Sequence, residues 1–219
     1  MSVSAGMGEP QTKSERTRQR ILDAAAQVFK EQSYANARLA DIAALAGMKT
    51  GSLYYHFASR EELVAEILRL GIEISWAHVR SAVDALPANS DPLTRLAAAV
   101  RAHTLSVLEI SDYTTAQTRI VTQVPPEVRR GHLADQRRYG SYWNELIEAA
   151  ADADALRDGI DPFVGRMLIF GAMNWTAEWY TPRRGTTVEQ IADQAVAMVL
   201  HGLAAPPKAK PNRAPIRRG

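Results

Sequence analysis

The residues best suited to chemistry lie between Arg38 and Phe57. Leu39, Ile42, Ala43 and Ala46 recur at helical spacing, and Gly47 follows as a stop that turns left-handed cheaply. Met48 is an apolar plug beneath the turn. A second short helix then buries Leu53 and Phe57, four residues apart. Thr50, Gly51, Ser52, Tyr54, Tyr55 and His56 lie on its other faces, with Lys49 just before them. The chemistry available to this set is hydrogen bonding rather than bond making. The small polar residues could approach the base edges of DNA, while the later ones hold phosphates. The plain alternative is a helical hairpin with an ordinary exposed face. Two adjacent exposed tyrosines beside a histidine are unusual for a face with no partner.

From Ile21 to about Leu68 this pattern resembles the helix-turn-helix of the TetR family of one-component transcriptional regulators. Ala-Gly-Met-Lys-Thr-Gly-Ser-Leu-Tyr-Tyr-His-Phe, followed by Ser-Arg-Glu-Glu-Leu, carries most of the likeness. The resemblance implies an all-α fold. A three-helix head over 12–74 would be joined by a long helix to a helical ligand-binding and dimerisation domain over 75–203. It also implies DNA contacts for Arg16, Thr17, Arg38, Lys49, Thr50, Gly51, Ser52, Tyr54, Tyr55, His56 and Arg60. The chain departs from the family at Ser33, where Gly is usual, and at Arg38, where a capping Thr is usual. Asn36 could cap instead, or Arg38 could reach a phosphate or base. Ala40 offers no hydrogen bond where relatives often carry a polar side chain.

Composition narrows the function class. The 219 residues, 46% of them hydrophobic, can bury a sizeable core in one or two domains. There is no cysteine, so disulfides and thiolate metal sites are excluded and a reducing cytoplasm is natural. No apolar run approaches membrane-spanning length, and Met1 to Gln11 lacks the apolar core of a signal peptide. A cytoplasmic, nucleoid-associated protein without a membrane partner is expected. The net charge is only +2, so DNA binding must rest on local placement of charge. The histidines at 56, 78, 103, 132 and 201 show no metal-ligand spacing, and no phosphate-cradling Gly loop or Gly-x-Ser-x-Gly elbow is present. No catalytic residue, metal or cofactor is expected, and the chain does not read as an enzyme.

The elements that must position these residues follow in order. Residues 1–11 are small and polar and read as disordered. Thr12 and Glu15 form a capping box for a first helix with the apolar stripe Ile21, Leu22, Ala25, Val28 and Phe29. Ser59 and Glu62 form another for a long helix running to about Asp84. Arg60 sits in its first turn, where the helix dipole disfavours a cation, and a nearby phosphate would offset that cost. Asp91-Pro92 restarts the chain as a helix containing Leu93, Leu96, Val100, Val107 and Leu108, and Pro125-Pro126 breaks it. Asp161-Pro162 caps a helix to Tyr180, a turn occupies Thr181 to Gly185, and Thr187 with Gln190 caps a last helix ending near Leu203. Residues 204–219 read as a disordered basic tail.

The last two helices are apolar on too many sides for one core. Leu168, Gly171, Ala172, Trp175 and Trp179 recur at helical spacing in one, and Val188, Ile191, Ala195, Met198, Val199, Gly202 and Leu203 in the other. Burial within one chain is the plain reading. The resemblance favours a two-fold homodimer through a four-helix bundle, matched to a palindromic DNA operator. It also implies a pocket between the long helix and the middle helices. Trp76, His103, Tyr113, Tyr142, Trp143, Phe170, Met173, Asn174 and Trp175 are its candidate lining. Such a lining suits a hydrophobic or aromatic effector, although aromatics at helical spacing are more often core. The segment Gly-Ala-Met-Asn-Trp-Thr-Ala-Glu-Trp-Tyr-Thr-Pro resembles a subgroup that often senses acyl-CoA thioesters. Arg129, Arg130, Arg137 and Arg138 could serve CoA phosphates or be solvated charge. The resulting expectation is a repressor released by its effector. The rivals are a DNA-binding or interaction protein that senses no ligand, and a module held at an anionic membrane by the basic tail.

Overall fold

The computed structural model describes residues 12–181 and 185–204, which form nine α-helices and one π-helical turn. The expectations for 1–11, for the middle of the turn after Thr181 and for the tail beyond Ala204 fall outside the described residues. Helix α1 (Lys13–Glu31) starts with both halves of its capping box: the Thr12 hydroxyl accepts from Glu15 N–H and Glu15 accepts from Thr12 N–H. Such a cap contributes about 1 kcal/mol. Its stripe Ile21, Leu22, Ala25, Val28 and Phe29 is buried.

Helix α2 (Leu39–Leu45) ends at Gly47, whose φ of +68° is left-handed. Gly47 N–H donates to Ala44 O and Met48 N–H to Ala43 O, so two orphan carbonyls are satisfied as the chain turns. Helix α3 (Thr50–Leu53) is shorter than the sequence suggests. Beyond Leu53 the bonds tighten: Tyr55 N–H donates to Ser52 O and His56 N–H to Leu53 O, three residues back. Leu53 and Phe57 are nevertheless both buried.

Helix α4 (Arg60–Asp84) has half of the expected capping box. Ser59 Oγ accepts from Glu62 N–H, but the Glu62 carboxylate reaches one residue further back, to Ala58 N–H. Helix α5 (Pro92–Leu105) opens on Asp91 as expected. The stretch up to Pro125 is not one helix. It breaks into the π-helical turn Ser106–Ile110, and Ser111 caps α6 (Asp112–Ile120). The hydroxyls of Thr114 and Thr115 donate to Ser106 O and Val107 O, carbonyls left loose by the wide turn. Helices α7 (Pro126–Asp152), α8 (Pro162–Trp179) and α9 (Val188–Leu203) complete the bundle.

Two apolar cores share α4. The first joins Ile21, Phe29, Ile42, Leu53, Phe57 and Ile67 to Ala116 and Ile120 of α6, so the head does not close on itself. The second joins Val79, Val83, Val100, Trp143, Ile147, Ile169 and Met173. Between them α4 and α6 touch at Gly71, where a Cβ would lie 2.4 Å from Gln117 Cβ and 2.6 Å from Tyr113 O.

Candidate nucleic-acid interface and effector pocket

The hairpin α2–α3 presents an exposed polar edge. Lys49, Thr50, Gly51, Ser52, Tyr54 and Tyr55 are all exposed, Tyr55 by 85%. Tyr55 meets half-buried His56 edge-on, with ring centroids 5.2 Å apart, which holds the phenol outward. Arg38 is the exposed N-cap of α2 and makes no side-chain cap, and Asn36 does not cap in its place. Arg16 is exposed on α1, while the Thr17 hydroxyl already donates to Lys13 O at 2.9 Å.

Arg60 has partners within the chain. Its guanidinium lies 4.2 Å from the Tyr34 ring centroid and donates to Tyr34 O. These contacts offset part of the cost of a cation in the first turn of α4. Its Nε remains buried without a partner. Arg18 is likewise engaged, with Glu66 at 3.3 Å and over Phe57.

A cavity of about 280 Å³ lies between α4, α5, α6, α7 and α8. Three of the nine candidate lining residues face it: His103, Phe170 and Asn174. Trp143 and Met173 stand behind the wall, fully buried, because an aromatic cluster needs backing. Phe170 meets Trp143 edge-on at 4.9 Å and His103 at 5.0 Å. Trp76 is turned to another face of α4, beneath the Arg138 guanidinium in an open groove. Tyr142 packs against the second core. Tyr113 is spent between α6 and α1, donating to Asp23 at 2.6 Å and accepting from Gln19 at 3.0 Å. Trp175 is 65% exposed on the outer face of α8, so it belongs to a different surface.

Sequence reasoning missed Ile72, Ser75, Gln117, Gln136, Tyr139, Gly140, Arg166 and Met167, which complete the wall. One signal was available: Arg166 is the only charge between Phe163 and Trp175. Among the described residues it has no ion-pair partner, and its Nε is buried without a hydrogen bond. Its Nη1 occupies space that Gly140 leaves by lacking a Cβ. Arg129, Arg130, Arg137 and Arg138 do not line this cavity; Arg129, for instance, donates to Val121 O and Thr122 O.

His103 is the polar centre of the wall. Tyr139 Oη lies 2.8 Å from Nδ1 and Asn174 Oδ1 lies 3.0 Å from Nε2. Burial pushes its pKa down to about 4, against a smaller upward pull from Asn174. The ring is therefore neutral at pH 7, with Nε2–H donating to Asn174 and Nδ1 accepting from Tyr139. Among the described residues no group of three or more His, Asp or Glu side chains is placed to hold a metal ion, and no helix is long and apolar enough to cross a membrane.

The outer faces of α8 and α9 form an exposed apolar strip. Val164, Leu168, Trp175 and Trp179 are exposed on α8, with Gly171 and Ala172 between them, and Met198 and Gly202 on α9. A groove of about 450 Å³ runs between the two helices. Ile191 does not join this strip: it is 7% exposed, turned into its own chain. Ala195 and Val199 are half-buried against the second core. The packing of α9 on α5 decides this, since it claims one face of α9 for the subunit interior.

The family model for bacterial regulatory proteins of the tetR family matches residues 21–67, and that for the tetracyclin repressor-like C-terminal domain matches 89–203. The HTH-type transcriptional repressor KstR2 of Mycobacterium tuberculosis is 28% identical over 188 residues, covering 84% of this chain and 90% of its own length. The structure of that ketosteroid regulator superposes with a TM-score of 0.72 at 27% identity, covering 90% and 98% of the two chains. AibR, crystallised with isovaleryl coenzyme A and operator DNA, superposes with a TM-score of 0.74 at 27% identity, covering 83% and 97%.

Proposed function

The chain belongs to the TetR family of bacterial regulatory proteins, and on that premise we propose that it is a homodimeric repressor of a palindromic operator, released by a hydrophobic acid or its coenzyme A thioester. The protein acts in the cytoplasm, at the nucleoid. Its DNA surface is the edge from Lys49 to His56, flanked by Arg16, Thr17, Arg38 and Arg60. Thr50 and Ser52 lie at the start of α3 and read bases, while Tyr55 and the flanking arginines hold phosphates. Two heads joined through α8 and α9 address successive major grooves, about 34–36 Å apart.

The observation that carries the effector class is Arg166. A guanidinium with no anionic partner among the described residues, placed in the wall of an aromatic cavity, fits an apolar ligand that ends in a carboxylate or, in a thioester, in a neutral carbonyl oxygen. A cavity of about 280 Å³ holds an acyl group and not a whole coenzyme, so a CoA moiety would project outside. The acyl-CoA bound by AibR supports this reading. A DNA-binding protein without a sensor role has no use for such a cavity.

Release follows from α4, which runs from the head at Arg60 past the cavity at Ile72 and Ser75. A ligand that favours a shifted α4 changes the separation of the two heads. A coupling of about 1–3 kcal/mol weakens the operator complex roughly 5- to 150-fold. The experiment is selection of bound sequences from a random DNA pool, then titration of the selected duplex with isovaleryl-CoA, longer acyl-CoA thioesters and the free acids. A two-fold symmetric motif, lost from the protein as a thioester or acid is added, is the expected result. Enrichment of no motif removes the regulator reading. A motif insensitive to every acid and thioester removes the effector class alone.

A further inference from the structure

Arg119 of α6 has an unusual set of partners. Its Nε and Nη2 donate to Ala177 O, at 3.2 and 2.7 Å, and its Nη1 donates to Lys30 O. Both acceptors lie in the last turn of a helix, α8 and α1 respectively. Carbonyls there have no partner in their own helix, and the aligned peptide dipoles favour a cation. One guanidinium thus closes the C-terminal ends of two helices that are remote in sequence.

Those two helices belong to the two working parts of the molecule. Helix α1 packs within the head, whereas α8 supplies Arg166, Phe170 and Asn174 to the cavity wall. Helix α6 itself reaches the cavity through Gln117, two residues before Arg119. The link therefore joins the cavity to the head without passing along α4. The other polar links from α6 and the turn after it to the head are Tyr113 with Asp23 and Gln19, Asp112 with Lys30, and Gln123 with Tyr34 N–H. None of these residues also bonds α8 among the described residues.

We propose that Arg119 is a positioning residue that sets the angle of the DNA head against α8, so that a shift of α8 around a bound effector is carried to α1. This rests on the regulator reading above, because it assigns α8 a moving role. Without the guanidinium, two part-buried carbonyls lose their donors and the head swings more freely about α4. A side chain that touches neither ligand changes coupling by a modest factor, roughly 2- to 30-fold.

The test uses the 219-residue chain, which has no cysteine of its own. Ala35→Cys in the head and Glu148→Cys on α7, both at exposed positions, take a pair of spin labels, and labelled chain is diluted into unlabelled chain. The distance distribution within one chain is compared between the wild type, Arg119→Gln, Arg119→Lys and Tyr113→Phe. The expected result is a widened distribution for Arg119→Gln, an intermediate one for Arg119→Lys and an unchanged one for Tyr113→Phe, which removes a head contact that does not reach α8. Operator affinity of Arg119→Gln should fall roughly 2- to 30-fold. An unchanged width in Arg119→Gln, even with a lowered melting temperature, means a plain structural role and overturns the proposal. Equal widening in Tyr113→Phe overturns it as well. If Arg119→Gln does not fold, a wild-type width in Arg119→Lys decides against it. Should the wild type select no DNA sequence, the regulator reading fails separately, while the distance measurement still reports on Arg119.

Discussion

Gly140 on α7 faces the Arg166 guanidinium on α8 so closely that a Cβ at 140 would lie 2.6 Å from Nη1. The nearest atom is the far end of a flexible side chain, so a methyl group there is accommodated by moving the arginine. In a helix interior, Ala is favoured over Gly by roughly 0.5–1 kcal/mol. Gly140→Ala should therefore leave stability equal or slightly higher while displacing the guanidinium from its place in the cavity wall. Calorimetric titration with an acidic effector should show weakened binding in Gly140→Ala and in Arg166→Gln. Unchanged affinity in both would separate Arg166 from ligand recognition.

Gly71 presents the opposite case. A Cβ there meets Gln117 Cβ and the backbone oxygen of Tyr113, neither of which can move without shifting α6. Gly71→Ala should destabilise by about 1–3 kcal/mol, as overpacking of a close helix contact does. Urea unfolding should show a lower midpoint at an unchanged slope.

The buried His103 makes stability depend on pH. Its pKa in the fold is about 4, whereas an unfolded histidine titrates near 6.5. Between those values the unfolded chain binds the extra proton, so stability is complete above about 6.5 and falls as pH drops towards 4. The shift corresponds to about 3 kcal/mol. His132, lowered chiefly by burial, acts in the same direction. Denaturation midpoints measured from pH 7.5 to 4.5 should fall, and His103→Gln should flatten the curve. A midpoint independent of pH over this range would count against the neutral, buried ring.

Leu168, 69% exposed at the centre of the apolar strip on α8, tests the dimer. Leu168→Glu leaves the subunit core untouched but would place an unpaired carboxylate in the proposed interface, at a cost of about 3–5 kcal/mol. Sedimentation should show a folded monomer with greatly weakened operator binding. A persistent dimer would place the interface elsewhere.

Much of this molecule was legible along the chain because its rules are local. Thr12 with Glu15, Asp91, Asp161 and Thr187 with Gln190 cap their helices as read, since a cap is settled within four residues. Gly47 ends α2 because only the backbone at that residue must turn left-handed. The exposure of Thr50, Gly51, Ser52, Tyr54 and Tyr55 followed from the spacing of Leu53 and Phe57. What tertiary structure decided was every choice between two apolar or two polar faces. Ile191 and Met198 share α9, yet α5 takes the first into the core and leaves the second in solvent. Trp76 and Trp175 are as aromatic as Phe170, but only Phe170 points at the cavity. The separate helix α6 was hidden by threonines of modest helix propensity, and hydroxyl bonds from Thr114 and Thr115 to the preceding π-helical turn define its start. Arg166 beside Gly140 and Arg119 between Lys30 and Ala177 join residues 26, 89 and 58 positions apart, as the sequence numbering shows. No local rule connects such pairs, because only the packing of α1, α6, α7 and α8 brings those atoms into contact.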